Sequence, residues 1–395
     1  MVRRPDVSTV GKPDSYSFPF RRQPLKGLFL TFKLVLFLLY LPAWMIEGLV
    51  PFLRPRKSWT LQKVLRVRFI RFLGRIGEGI GPPTKPYRDP TVYPPKPAKG
   101  FTLIRPAPDH LIQGDDDAQL SENEDVVLLM HGGMFILGTA RPSDPAAYIP
   151  KRLVRLAAER GHRLRVLSVD YRRCSTRPFE QGGAFPSALL DGFAGYLHLL
   201  SLGVKSERIT LMGDSAGATI ALSLMRYITE NSRPEVPIPA GIVIFSPWAD
   251  MALQATDSTV WDNWRSDYLG IWGLSFYATV ALLGPHSPDE LKTNLYISPS
   301  TLALPSGTTF FEKDKWPRTM LVCGDAEMIL TEIRTLRERL REAGVDLTYL
   351  EVKDAIHNFT MFPWFEPEGK QTMNAVMDWF EAGSKDNNDY IRAKL

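Results

Sequence analysis

The sequence predicts an α/β fold: a mostly parallel central sheet with helices on both faces and a helical cap. Three observations carry that expectation. Six short apolar runs between residues 126 and 352 alternate with stretches of helical spacing. The chain has 395 residues, 44% of them hydrophobic, enough to bury a large core. One break in the alternation, between Pro247 and Pro299, is too long for a plain connection in a compact domain.

Composition excludes a collagen-like repeat, wholesale disorder and a disulfide scaffold, since only Cys174 and Cys323 are present. The formal net charge of +5 is the sum of two unlike parts. Residues 1–100 carry 19 Lys+Arg against 5 Asp+Glu, and the remainder carries 29 against 38. A basic segment of that kind meets an anionic surface, whereas nothing in the acidic body points to nucleic acid.

Within the basic segment, Leu28 to Leu53 holds two charged residues, Lys33 and Glu47. Its uncharged core, Leu34–Ile46, is 13 residues long, while a full span needs about 20. Pro42 is expected to kink it, and basic residues flank it on both sides, so orientation stays open. No small-residue cleavage site follows, which disfavours a secretory signal. Trp59–Arg75 can wind as a helix with Leu61, Leu65, Phe69, Phe72 and Leu73 on one side and five Lys/Arg elsewhere. Residues 24–75 are therefore expected to meet a membrane surface from a side the sequence leaves open; the expected location, not itself read from this charge pattern, is the endoplasmic reticulum. Seven prolines in residues 82–97 read as a linker, drawn at 82–99.

The expected strands are Val126–Met130, Leu164–Val169, Arg208–Met212, Ala240–Phe245, Arg318–Cys323 and Asp346–Val352. The expected helices are Asp144–Arg160, Pro186–Leu200, Ala216–Thr229, Met328–Ala343 and one after Pro367. An acidic stretch before the first strand (Asp115 to Asp125) reads as a solvated turn. The domain plan is a 1–81 anchor and cap segment, a core from 100–247 and 300–385, an inserted aromatic-rich cap at 248–299, and a polar 386–395 tail. Ligands in such sheets sit beyond the strands' carboxyl ends.

Gly213-Asp214-Ser215-Ala216-Gly217 follows the third strand and opens a helix, the strand–turn–helix setting that presents a serine nucleophile above a sheet. His131-Gly132-Gly133-Met134 follows the first strand, where glycines let backbone N–H groups approach a developing oxyanion. Gly132, Gly133, Met134 and Ala216 are the candidate oxyanion residues. Of the six histidines, His357 follows the last strand and is the expected base. Asp325, immediately past the fifth strand, is the expected orienting acid. Glu327 is read instead as the start of a helix, where an acid favours the dipole. Asp354 shares the histidine's loop and is expected to face solvent. No zinc spacing, Walker A or G-x-G-x-x-G stretch occurs, so neither a metal nor a cofactor is expected.

From about residue 100 to 385 the chain resembles the hormone-sensitive-lipase-like group of α/β-hydrolases. The matching pieces are His131-Gly132-Gly133, Asp170-Tyr171-Arg172, the Gly213–Gly217 turn, Ser246-Pro247-Trp248, Gly324-Asp325-Ala326-Glu327 and His357-Asn358-Phe359. The resemblance implies a serine esterase with a cap made from the N-terminal region and an insertion after Ser246-Pro247-Trp248. The N-terminal apolar run makes it similar to the membrane-anchored members, the arylacetamide deacetylases and fungal steryl acetyl hydrolases. Met134 stands where the group's third glycine is usual. The implied substrate is a small apolar ester with a short acyl group. Lactone or amide hydrolysis, acyl transfer and a non-catalytic receptor are the rival readings. Oligomeric state is not legible. Asn358-Phe359-Thr360 is a glycosylation sequon whose glycan would crowd the expected site.

Overall fold

The computed structural model describes residues 18–82, 96–98, 101–103, 111–112, 124–252, 263–270, 272–301, 308–309, 311–312 and 314–384. Two helices open the chain, α1 (Leu25–Leu49) and α2 (Leu61–Ile80). Three short strands follow, β1 (Lys96–Ala98), β2 (Phe101–Leu103) and β3 (Leu111–Ile112). The body then alternates: β4 (Asp125–Met130), α3 (Tyr148–Glu159), β5 (Leu164–Val169), α4 (Ser187–Ser201), β6 (Ile209–Asp214), α5 (Ala216–Glu230) and β7 (Gly241–Phe245). Helices α6 (Trp272–Leu283) and α7 (Glu290–Thr293) precede β8 (Arg318–Gly324), α8 (Leu330–Glu342), β9 (Leu347–Val352) and α9 (Glu368–Ser384).

The main sheet has the order β3-β5-β4-β6-β7-β8-β9. All neighbours run parallel except β3, which pairs antiparallel with β5. The six expected strands are present to within two residues at each end. Side-chain alternation divides their apolar residues between two cores. On one face Leu128, Met130, Leu211 and Ile244 pack with Phe193 of α4, Leu224 of α5 and Leu336 of α8. On the other, Val127, Leu129, Met212 and Val243 pack with Leu153 of α3 and Met377 of α9.

Trp59, Val64 and Val67 belong to that second core, so the N-terminal segment is built onto the body. Here the face assignment for α2 is corrected. Val64, Val67, Phe72, Gly79 and two cations, Lys63 and Arg71, are the buried residues, whereas Phe69 and Leu73 are exposed. The reason is that α2 has two partners. Its Lys63 face meets the body through an ion pair with Glu368 at 2.7 Å. Its Phe69–Phe72 face meets Phe37 of α1. The Trp44–Phe72 contact and the Gly48–Leu61 approach make α1 and α2 an antiparallel hairpin. Helix α1 runs unbroken through Pro42 and is long and apolar enough to cross a membrane, by length and composition.

The proline-rich linker and the acidic stretch lie largely outside the described residues. Its last two acids are paired rather than solvated: Glu124 with Arg165, and Asp125 with His162 and Arg208.

Candidate active site

The turn after β6 is forced by its glycines. A Cβ on Gly213 would meet Gly217 O at 2.3 Å, and one on Gly217 would meet Met130 O at 2.0 Å. Between them Ser215 takes φ 52°, ψ −118°, a conformation L-residues avoid, held by Ser215 N–H donating to Phe245 O at 2.9 Å. Its hydroxyl is thereby lifted to the start of α5.

Opposite it, His357 Nε2 lies 2.9 Å from Ser215 Oγ, and His357 Nδ1 lies 2.9 Å from Glu327 Oε2. The three side chains form one buried hydrogen-bonded chain. Burial works against a charged imidazole, but the Glu327 bond and charge, with Asp267 and Asp214 further off, outweigh it and raise the His357 pKa.

The carboxylate is Glu327, which corrects the expectation of Asp325. β8 pairs with β9 through Gly324, and Asp325 N–H and Ala326 N–H go on to donate to Val352 O and Ala355 O. Asp325 then points the other way. It accepts from Asp354 N–H at 2.7 Å and lies 3.9 Å from Arg56, with its side chain 28% exposed. Glu327 does not begin a helix, because α8 starts at Leu330. It folds back over the strand end, where Oε1 accepts from Gly324 N–H at 2.5 Å and Ser246 Oγ at 2.7 Å. That leaves Oε2 for the histidine. Asp354 is not a solvent-facing bystander either, since Ser58 Oγ donates to it at 2.6 Å.

The His131–Met134 turn lies beside the serine. Gly132 N–H donates to Asp214 Oδ1 at 2.9 Å, so Gly132 is not an oxyanion donor, a second correction. Among the described residues the N–H groups of Gly133, Met134 and Ala216 donate to no acceptor. His131 packs on Tyr171 at 4.3 Å, and Tyr171 OH donates to His131 O at 2.7 Å, which holds the turn.

Asp214 is buried and pushed up to about 6 by that burial, offset in part by Gly132 N–H, His357 and Asn358. Asn358 Nδ2, the sequon nitrogen, donates to Asp214 Oδ2 at 2.6 Å and is buried, which bars a glycan from the folded protein. Asp267, also pushed up to about 6 by burial, accepts from Met328 N–H at 2.8 Å and Tyr268 N–H. Asn263 Nδ2 donates to Asp325 O at 2.9 Å and Glu327 O at 2.7 Å. Sequence reasoning missed Ser246, Asn263 and Asp267. Only Ser246 left a signal, through its motif.

Of the other described histidines, His162 pairs with Asp125, His286 meets Glu290 and Phe185 O, and His198 lies in the last turn of α4. Both cysteines are free and buried. Among the described residues no group of three or more His, Cys, Asp or Glu is placed to hold a metal ion.

A serine, histidine and carboxylate at strand ends of a parallel sheet define a hydrolase site, and comparison places it more closely. Residues 127–361 match the alpha/beta hydrolase fold family, and the chain belongs to it. An esterase of Acinetobacter venetianus is 26% identical over 288 residues, covering 73% of this chain and 84% of that protein. An acetyl-hydrolase of Streptomyces hygroscopicus is 26% identical over 252 residues, covering 63% and 73%. The crystal structure of EstE7, a hormone-sensitive-lipase homologue from a metagenome library, superposes with a TM-score of 0.57. It is 22% identical and covers 84% of this chain and 99% of its own. By class the chain is a carboxylic ester hydrolase of the alpha/beta hydrolase fold.

Proposed function

We propose that this protein is a serine esterase that cleaves short-acyl esters of apolar alcohols at a membrane surface. The observation that carries the reading is the unbroken Ser215–His357–Glu327 chain, each link 2.9 Å. Ser215 Oγ attacks the ester carbonyl while His357 Nε2 takes its proton. The oxyanion is met by the N–H groups of Gly133, Met134 and Ala216. Collapse breaks the ester C–O bond, and His357 returns the proton to the departing alcohol. Water then attacks the acyl-enzyme with His357 again as base, giving the acid and free Ser215. Glu327 holds Nδ1–H and stabilises the imidazolium. A receptor reading has no support from a base so placed. Tyr268, whose ring lies 5.9 Å from that of His357, and Met134 supply apolar walls.

The membrane reading rests on α1, where Leu28 and Leu39 are 67% and 66% exposed. Since α1 packs along α2, an upright α1 would drag the exposed Arg66 and Arg75 into hydrocarbon, at about 3 kcal/mol each. A helix lying in the interface with its apolar face down avoids that cost. Membrane of the endoplasmic reticulum remains the location proposed.

Ser215→Ala should abolish p-nitrophenyl butyrate hydrolysis and labelling by a fluorophosphonate probe. Hydrolysis at the wild-type rate would sink the assignment.

A further inference from the structure

A cavity of about 550 Å³ opens between α1, α2 and residues 264–265, and no member of the Ser215 site lines it. Four cations face it, Arg68, Arg71, Arg75 and Arg265, against one carboxylate, Glu47. Arg68 and Arg265 both bond to Glu47, which leaves Arg71 and Arg75 with no ion-pair partner among the described residues.

Arg71 is the unusual member. It is 5% exposed, its Nη1 donates to Trp264 O, and its guanidinium lies 4.0 Å from the Trp264 ring centre. Its Nε and Nη2 are buried with no hydrogen-bond partner. Burial, then Arg75 and Arg68, pull its pKa down to about 10 against the opposing pull of Asp267 and Glu78, so the charge persists at neutral pH with no carboxylate in direct contact. A buried cation with two unused donors is costly unless an anion completes it.

The remaining wall is apolar, from Trp44, Leu53 and Phe72, and is continuous with the exposed face of α1. Cationic donors at one end and an apolar runway at the other fit one amphiphile. We propose that this cavity holds the head group of an anionic membrane phospholipid, its phosphate held by Arg71 and Arg75 and its chains lying along α1. The inference rests on α1 lying in a membrane interface. It also places the lipid one turn from the acid loop, because Asn263 and Asp267 flank the Trp264–Arg265 wall and bond to residues 325–328.

The test is the thermal unfolding midpoint of the full chain in non-ionic detergent, titrated with dihexanoyl phosphatidic acid, dihexanoyl phosphatidylcholine or inorganic phosphate. Phosphatidic acid should raise the midpoint saturably, and the other two should not. Arg71→Gln and Arg75→Gln should each weaken the apparent affinity about tenfold or more. Arg75 is exposed, so its variant folds even where Arg71→Gln does not. Arg66→Gln, which removes the same charge from α2 outside the cavity, should change nothing. Equal shifts by both lipids, or equal weakening by Arg66→Gln, overturn the proposal, and an equal shift by inorganic phosphate overturns its lipid part. If the wild type sediments with membranes yet shows no preference for phosphatidic acid, this inference falls and the membrane reading stands.

Discussion

Ser246 Oγ donates to Glu327 Oε1 at 2.7 Å and itself accepts from Asn358 N–H at 3.1 Å. The end of β7 is thus tied to the carboxylate that faces the histidine and to the residue after the histidine. Ser246→Ala removes a donor from a buried carboxylate and leaves a buried N–H unmatched, a cost of about 1–3 kcal/mol. We expect kcat on p-nitrophenyl butyrate to fall about tenfold with KM within twofold. Steady-state kinetics check this, and a change confined to KM would contradict it.

The same chain sets the pH dependence. His357 must be neutral to accept the serine proton, and its pKa is raised, so activity appears as pH rises through a midpoint above the ordinary imidazole value of about 6.5. Glu327→Gln removes the charge that raises it, so the residual activity should rise at lower pH than in the wild type. The rising limb of kcat/KM against pH reads both.

Arg56 connects the N-terminal hairpin to this machinery. It donates to Asn263 Oδ1 at 2.5 Å and Asp325 O at 3.0 Å, and lies 3.8 Å from Asp354. Its planar fork serves the Asn263 and Asp325 loops and faces Asp354 at once, which an ammonium does not do. Arg56→Ala should lower kcat about three- to tenfold and lower the unfolding midpoint, and Arg56→Lys should not restore either.

Helix α1 offers a separable test. Leu28→Asp with Leu39→Asp should move the protein from the membrane pellet to the supernatant. Turnover of soluble esters in detergent should stay within twofold.

Much of the fold was legible because the inner strands are buried on both faces and read as continuous apolar runs, Leu164–Val169 being matched end to end. Leu111–Ile112 was not, since two residues hold no periodicity. Ser215 and His357 were legible from strand-end positions. The acid was not, because position after a strand does not say which way a side chain turns. Asp325 still follows the β8–β9 pairing outward, and Glu327 turns back into the sheet end. Nor does helical spacing show that α2 has two partners, which is why Arg71 reads as a surface charge and is found buried.

Glu327 is proposed to orient the base for Ser215. The most direct test of that role is kcat for p-nitrophenyl butyrate in Glu327→Gln beside Asp325→Asn, both shown to be folded. The structure predicts a loss of about 10³- to 10⁴-fold for Glu327→Gln and less than about threefold for Asp325→Asn. The reverse ranking would contradict it.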